Sequence, residues 1–374
     1  MRFFGEVVVR GELVRHELFG DGDEGTLLRE RFRLRLGLDA RLTETLYAGA
    51  RLSTGDPTFP PSGFSSFSND FRRHPIDVDR AFVGFRPKKG LDLRIGMAAN
   101  PLFTPSELVW DADVQPAGVF ETLDLGRSGL TLAAGQLVLR EVRSLRPDNE
   151  EGSFLLAEGL SYRRETGRLK ATLGVSHYYY TDPDVVALAL RTGELSPALR
   201  TNRYDPNGRT IPSPANPSRR IPADFFSGFS ILEAGVRLDH AERPIGLSAE
   251  AAVNLAARRD PSLGPAYADR AGFAWLILVR YGRIARPWQV VGSVGYVHLP
   301  SDAVLATVNS DDLQQTNVRC VPVDVRMRLP GAALLVWDTY IQKKLDPDAP
   351  TTGGVVSSSN AVRVRSRLSV VVGF

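Results

Sequence analysis

Between Arg29 and Leu42 the chain reads RERFRLRLGLDARL. Charged Arg29, Arg31, Arg33 and Arg35 alternate with Phe32, Leu34 and Leu36, and Leu38, Ala40 and Leu42 continue the apolar series. Strict period-2 alternation gives a β-strand with one apolar and one charged face. The pattern recurs in sixteen segments, near 3–18, 27–42, 45–54, 76–86, 90–99, 118–125, 128–140, 153–164, 168–180, 229–240, 244–257, 271–282, 288–299, 317–329, 332–344 and 360–374. No sustained i, i+3, i+4, i+7 spacing interrupts it, so the pattern predicts no helix.

The connections sort by length. Short ones are Thr43–Glu44, Pro87–Gly90, Gly126–Ser128, Glu165–Gly167, Ala241–Pro244, Arg283–Pro287 and Pro330–Gly331. Long ones fall near 19–26, 55–75, 100–117, 141–152, 181–228, 258–270, 300–316 and 345–359, alternating with the short ones throughout. An up-and-down meander with all its long loops at one end is the layout of a bacterial outer-membrane barrel, and closure also removes the open sheet edges. The expected fold is therefore all-β: a single transmembrane antiparallel β-barrel domain over residues 1–374, with sixteen strands, short periplasmic turns and long extracellular loops. The competing architecture is a soluble β-sandwich binding module, which seldom sorts its loops this way.

Energetics assign the faces. An arginine on the lipid side costs roughly 2–4 kcal/mol near the bilayer midplane, so four on one strand would cost on the order of 10 kcal/mol. They must point inward. Sixteen strands enclose an interior too wide for side chains to fill, hence an aqueous channel. The last strand obeys the same rule: Val362, Val364, Leu368, Val370, Val372 and Phe374 share one face, Arg363, Arg365 and Arg367 the other. Its terminal aromatic, Phe374, resembles the signal read by the barrel assembly machinery.

Composition narrows the function. No apolar run approaches the ~18–20 residues of a spanning helix, and a net charge of +3 is too mild to point to nucleic acid. The lone Cys320 excludes an intramolecular disulfide and a cysteine zinc cluster. His16, His74, His177, His240 and His298 are scattered without ligand spacing, and no nucleotide-binding motif occurs, so no metal or cofactor is expected. Ser176 and His177 are adjacent and point to opposite faces, which argues against a barrel enzyme; no catalytic residue is nominated. The chain starts directly in strand alternation, so the expectation is a mature outer-membrane form without its signal peptide.

Three stretches, Arg33–Pro57, Asp77–Pro87 and Gly96–Gly118, resemble the "putative porin" family of bacterial outer-membrane barrels. The resemblance implies a passive diffusion channel with periplasmic termini. Family members often carry an N-terminal coiled coil, which this sequence lacks, so no envelope-tethering role is expected. Analogy with sixteen-stranded porins adds a homotrimer embedded in outer-membrane lipid and lipopolysaccharide.

Within that frame the long loop 3, residues 100–117, is expected to fold into the lumen. Phe103, Leu108 and Trp110 would grip the wall, and Glu107, Asp111 and Asp113 would supply the acidic side of a constriction. The basic side is expected from Arg10, Arg29, Arg31, Arg33, Arg35, Arg51, Arg80, Arg94, Arg363, Arg365 and Arg367, which lie on strands that become neighbours on closure. Opposed charges set a transverse field in a channel with low-dielectric walls. The expected function is passive diffusion of small hydrophilic solutes with weak to moderate anion preference, the alternative being a selective phosphate or carboxylate channel. The proline-rich loop near 181–228 is read as structureless. His177–Tyr180, Trp288, Tyr296, Trp337 and Tyr340 are assigned to the interfacial aromatic girdle.

Overall fold

A computed structural model describes residues 1–15, 26–67, 73–140, 152–196, 201–313, 316–347 and 362–374. His16 lies outside the described residues, as do most of the connections expected near 19–26, 141–152 and 345–359.

Sixteen long strands form the wall: β1 (Arg2–Arg15), β2 (Thr26–Arg41), β3 (Leu46–Ser53), β4 (Asp77–Lys88), β5 (Leu91–Met97), β6 (Ala117–Asp124), β7 (Leu130–Arg140) and β8 (Ser153–Thr166). The second half comprises β9 (Leu169–Tyr180), β10 (Ser230–His240), β11 (Ile245–Asn254), β12 (Phe273–Gly282), β13 (Val290–Leu299), β14 (Val318–Arg328), β15 (Ala333–Lys344) and β16 (Arg363–Gly373). Each strand pairs antiparallel with the next, and β1 closes the ring on β16 from Glu6↔Gly373 to Arg15↔Val364. The two-residue strand Ser65–Ser66 adds onto β2.

The outer surface is the apolar face of the alternation. Leu36, Ile95 and Leu368 are 42%, 62% and 53% exposed, as lipid-facing residues of an isolated barrel should be. Residues of opposite parity face the lumen. A bulge adjusts that alternation on β4: Arg51 pairs with Arg80 and Leu52 with Val78, leaving Asp79 as an extra residue.

The buried cluster sits inside the barrel. Leu102, Leu108, Val109 and Trp110 of loop 3 pack with wall residues Leu155, Tyr178, Ile231 and Leu276. The loop over 181–228 is not structureless. It holds a helix, α1 (Asp184–Thr192), with Val185, Val186 and Leu190 buried, and a small hairpin of Thr210–Pro212 with Arg220–Pro222. Nine residues are too few for helical periodicity to stand out in sequence. The aromatic assignments also need correction. His177, Tyr179, Trp288, Tyr296 and Trp337 share the outward parity, whereas Tyr178, Tyr180 and Tyr340 fall on lumen-facing positions. The cause is the alternation itself, which splits HYYY between the two faces.

Candidate channel constriction

The inward arginines are packed against carboxylates. Fully buried Glu12 on β1 accepts from Arg29 at 2.9 and 3.0 Å, bonds Arg365, and lies 3.9 Å from Arg31. Glu6 lies 2.8 Å from Arg33 and 3.3 Å from Arg35. Asp79, projected by the bulge, pairs with Arg51 at 2.7 Å and stands 3.8 Å from Arg35. Arg10 lies over the Phe64 ring at 3.7 Å and donates to Ser369 Oγ. Arg80 donates to Gln115, and Arg363 to Gln342. Arg94 stands on β5 beside the Phe120 ring.

Loop 3 crosses the interior. Its return limb is held ionically, Asp113 receiving Arg33 at 2.9 Å and Arg35 at 2.8 Å. Its outward limb and tip meet the opposite wall. Ser106 N–H and Oγ–H both donate to Glu250 on β11, and Arg237 on β10 donates to the Pro105 carbonyl. Trp110 stacks on Tyr178 of β9 with centroids 6.2 Å apart. Two glycines open the wall here: a Cβ at Gly174 would meet Phe103 at 2.5 Å, and one at Gly235 would meet Pro105 at 2.5 Å.

A second loop enters the lumen, which sequence reasoning missed. In loop 7, residues 300–317, the stretch 301–310 is buried at every position. Its Asp312 bonds Arg367 of β16 and accepts from Tyr340 Oη at 3.0 Å, while Asp338 of β15 takes the same arginine from the other side. Asn202 and Arg203 of the loop over 181–228 tie the start of loop 7, through Ser301 and Val304 carbonyls and the Asp302 carboxylate.

The carboxyls gathered between loops 3 and 7 are perturbed. Glu107 and Asp311 are both pushed up to about 7, by burial first and then by neighbouring carboxylates, Asp312 above all. Asp111 is raised well above the usual range by burial and by Glu107. Asp312 differs. Burial disfavours its charge too, but Arg367 and Arg365 outweigh burial and hold it well below that range.

Two cavities share part of their lining. One of about 530 Å³ lies between loops 3 and 7 and the wall near β1 and β14–β16; the other, about 650 Å³, lies toward the short turns. Pro105, Leu278, Ser293, Asp324 and Arg326 line both. On the outer face, His177 Nε2 lies 3.0 Å from Ser230 Oγ, with Glu158 3.6 Å from Nδ1. The latter is too long for a hydrogen bond.

A closed sixteen-stranded antiparallel barrel with an apolar exterior, a charged interior and an inward-folded loop has the architecture of an outer-membrane transmembrane β-barrel. Residues 22–135 match the family described as "putative porin". A search of curated proteins gave no match. Among solved structures, a loop-deletion mutant of OmpT, an outer membrane protein of Vibrio cholerae, is 8% identical with a TM-score of 0.53, covering 100% of this chain and 98% of that one. An engineered porin of Rhodopseudomonas blastica is 9% identical with a TM-score of 0.51, covering 100% and 99%. At such identities the likeness establishes the fold alone.

Proposed function

We propose that this chain forms a water-filled pore for passive diffusion of small hydrophilic solutes, working as a homotrimer surrounded by lipid and lipopolysaccharide. Supporting this is the pair of cavities with a shared lining at Pro105, Leu278, Ser293, Asp324 and Arg326. A solute following them passes between Glu107 and Asp111 of loop 3 and the arginines of the wall, so Arg10, Arg33 and Arg367 are pore-lining residues in this reading. Phe374, at the turn end beside Gly5, serves barrel assembly. Anion preference is weak, because most of the arginine charge is balanced by Glu6, Glu12, Asp79, Asp113, Asp312 and Asp338.

Detergent-purified protein in planar bilayers is expected to give discrete steps whose current rises linearly with salt. A folded barrel that carries no current overturns the reading. Conductance that saturates with phosphate or carboxylates would instead identify a selective anion channel.

A further inference from the structure

Loop 3 meets the wall at β2 through Asp113 and at β9–β11 through Trp110, Pro105 and Ser106. Loop 7 lies against β15 and β16, fixed by Asp312 to Arg365 and Arg367 and by Gln342, which donates to the Asp312 carbonyl. It also meets loop 3 along a seam. Asp111 N–H donates to the Val308 carbonyl at 2.7 Å, Ser310 N–H to the Glu107 carbonyl at 3.2 Å, and Asp311 N–H to Asp111 Oδ2 at 3.4 Å. Backbone bonds thus hold Glu107, Asp111 and Asp311 together although their carboxyls repel when charged. All three line the same 530 Å³ cavity.

We propose that loop 7 is the second jaw of the constriction and that Asp311, with Glu107 and Asp111 across the seam, determines ion selectivity. In acid these carboxyls share protons and cation preference falls; toward alkali they ionise and favour cations.

The charged surroundings support this sign. Four arginines and seven carboxyls line the cavity, so protonating part of the trio removes most of the acidic excess. Asp312 and Asp113 stay bound to arginines, Asp312 to Arg367 of β16 and Asp113 to Arg33 of β2. From β15, Asp338 bonds Arg367 and Tyr340 bonds Asp312. From β14, Asp324 and Arg326 pair with each other, and β1 presents Arg10 over Phe64. Arg365 and Arg367 also face Asp311, but burial and Asp312 outweigh them, and Glu107 and Asp311 are both pushed up to about 7.

The inference rests on the channel reading, and one experiment separates the two. Reversal potentials in a potassium chloride gradient are measured at about pH 5.5 and about pH 8.5, either side of that titration, with folding checked by heat-modifiable gel migration. The expected anion-to-cation permeability ratio falls about threefold between them, the order expected for a unit charge a few ångströms from a permeating ion. Glu107→Gln with Asp311→Asn abolishes the change and fixes the acid-side ratio; Asp311→Asn alone reduces it. A wild-type current with the same ratio at both pH values, or a double variant retaining the full change, overturns this proposal and leaves the channel standing. A folded barrel without current overturns both.

Discussion

Loop 3 is gripped by two walls of opposite character. On the arc from β16 through β1 to β4 the contacts are ionic: Asp113 sits between Arg33 and Arg35, themselves backed by Glu6 and Asp79. On the facing arc, β9 to β11, the tip is seated by shape, with Trp110 on Tyr178 and Phe103 and Pro105 against Gly174 and Gly235. The difference teaches that the arginines do two jobs. They give the lumen its polarity, and through Asp113 they fix one end of the element that narrows it. A wall serving only as an electrostatic lining would leave more of its charge unpaired.

The largest effect should come from reversing the ionic grip. Arg33→Glu with Arg35→Glu would set two new carboxylates against Glu6, Asp79 and Asp113. Breaking a buried pair by removing one partner costs about 3–5 kcal/mol, so chemical unfolding in detergent should show a loss at least that large. The permeability ratio should move toward cations as well. Unchanged stability and selectivity would mean that this arc neither holds loop 3 nor faces the narrow section.

The opposite grip is tested by Trp110→Ala. Deleting a buried tryptophan side chain costs about 3–5 kcal/mol when the space does not collapse. Here the loss should fall mainly on loop 3, giving noisier and larger single-channel steps while the barrel melts nearly as before. A quiet, unchanged current would show that Asp113 and Ser106 position the loop without the stacking.

Much of this was readable in the residues. All sixteen strands follow from period-2 alternation, and the inward direction of the arginines follows from the cost of placing them in lipid. Glu6 and Glu12 were readable too, since they share the parity of Arg10 on β1. Loop 7 was not readable. Its segment SDAVLATVNS mixes small polar and aliphatic residues with no period, and its burial comes from Asn202 and Arg203, about a hundred residues upstream in another loop. Asp312 likewise looks like any loop carboxylate until closure sets β15 and β16 beside it. Strand patterns record which face meets lipid; nothing local records which loop turns inward.

The smallest predicted effect tests whether the shape-based grip has a polar component of its own. Glu250 accepts from both Ser106 N–H and Ser106 Oγ–H at the point where loop 3 touches β11. Glu250→Gln keeps an acceptor oxygen at that place, whereas Glu250→Leu leaves two loop-3 donors facing an apolar side chain. An unsatisfied buried donor costs about 1–3 kcal/mol. Amide exchange at Ser106 should therefore quicken roughly in proportion in the leucine variant and change little in the glutamine one. Equal exchange in both would place the hold on loop 3 in Trp110, Phe103 and Pro105 alone, making the comparison between the two walls one of charge against shape without a mixed term.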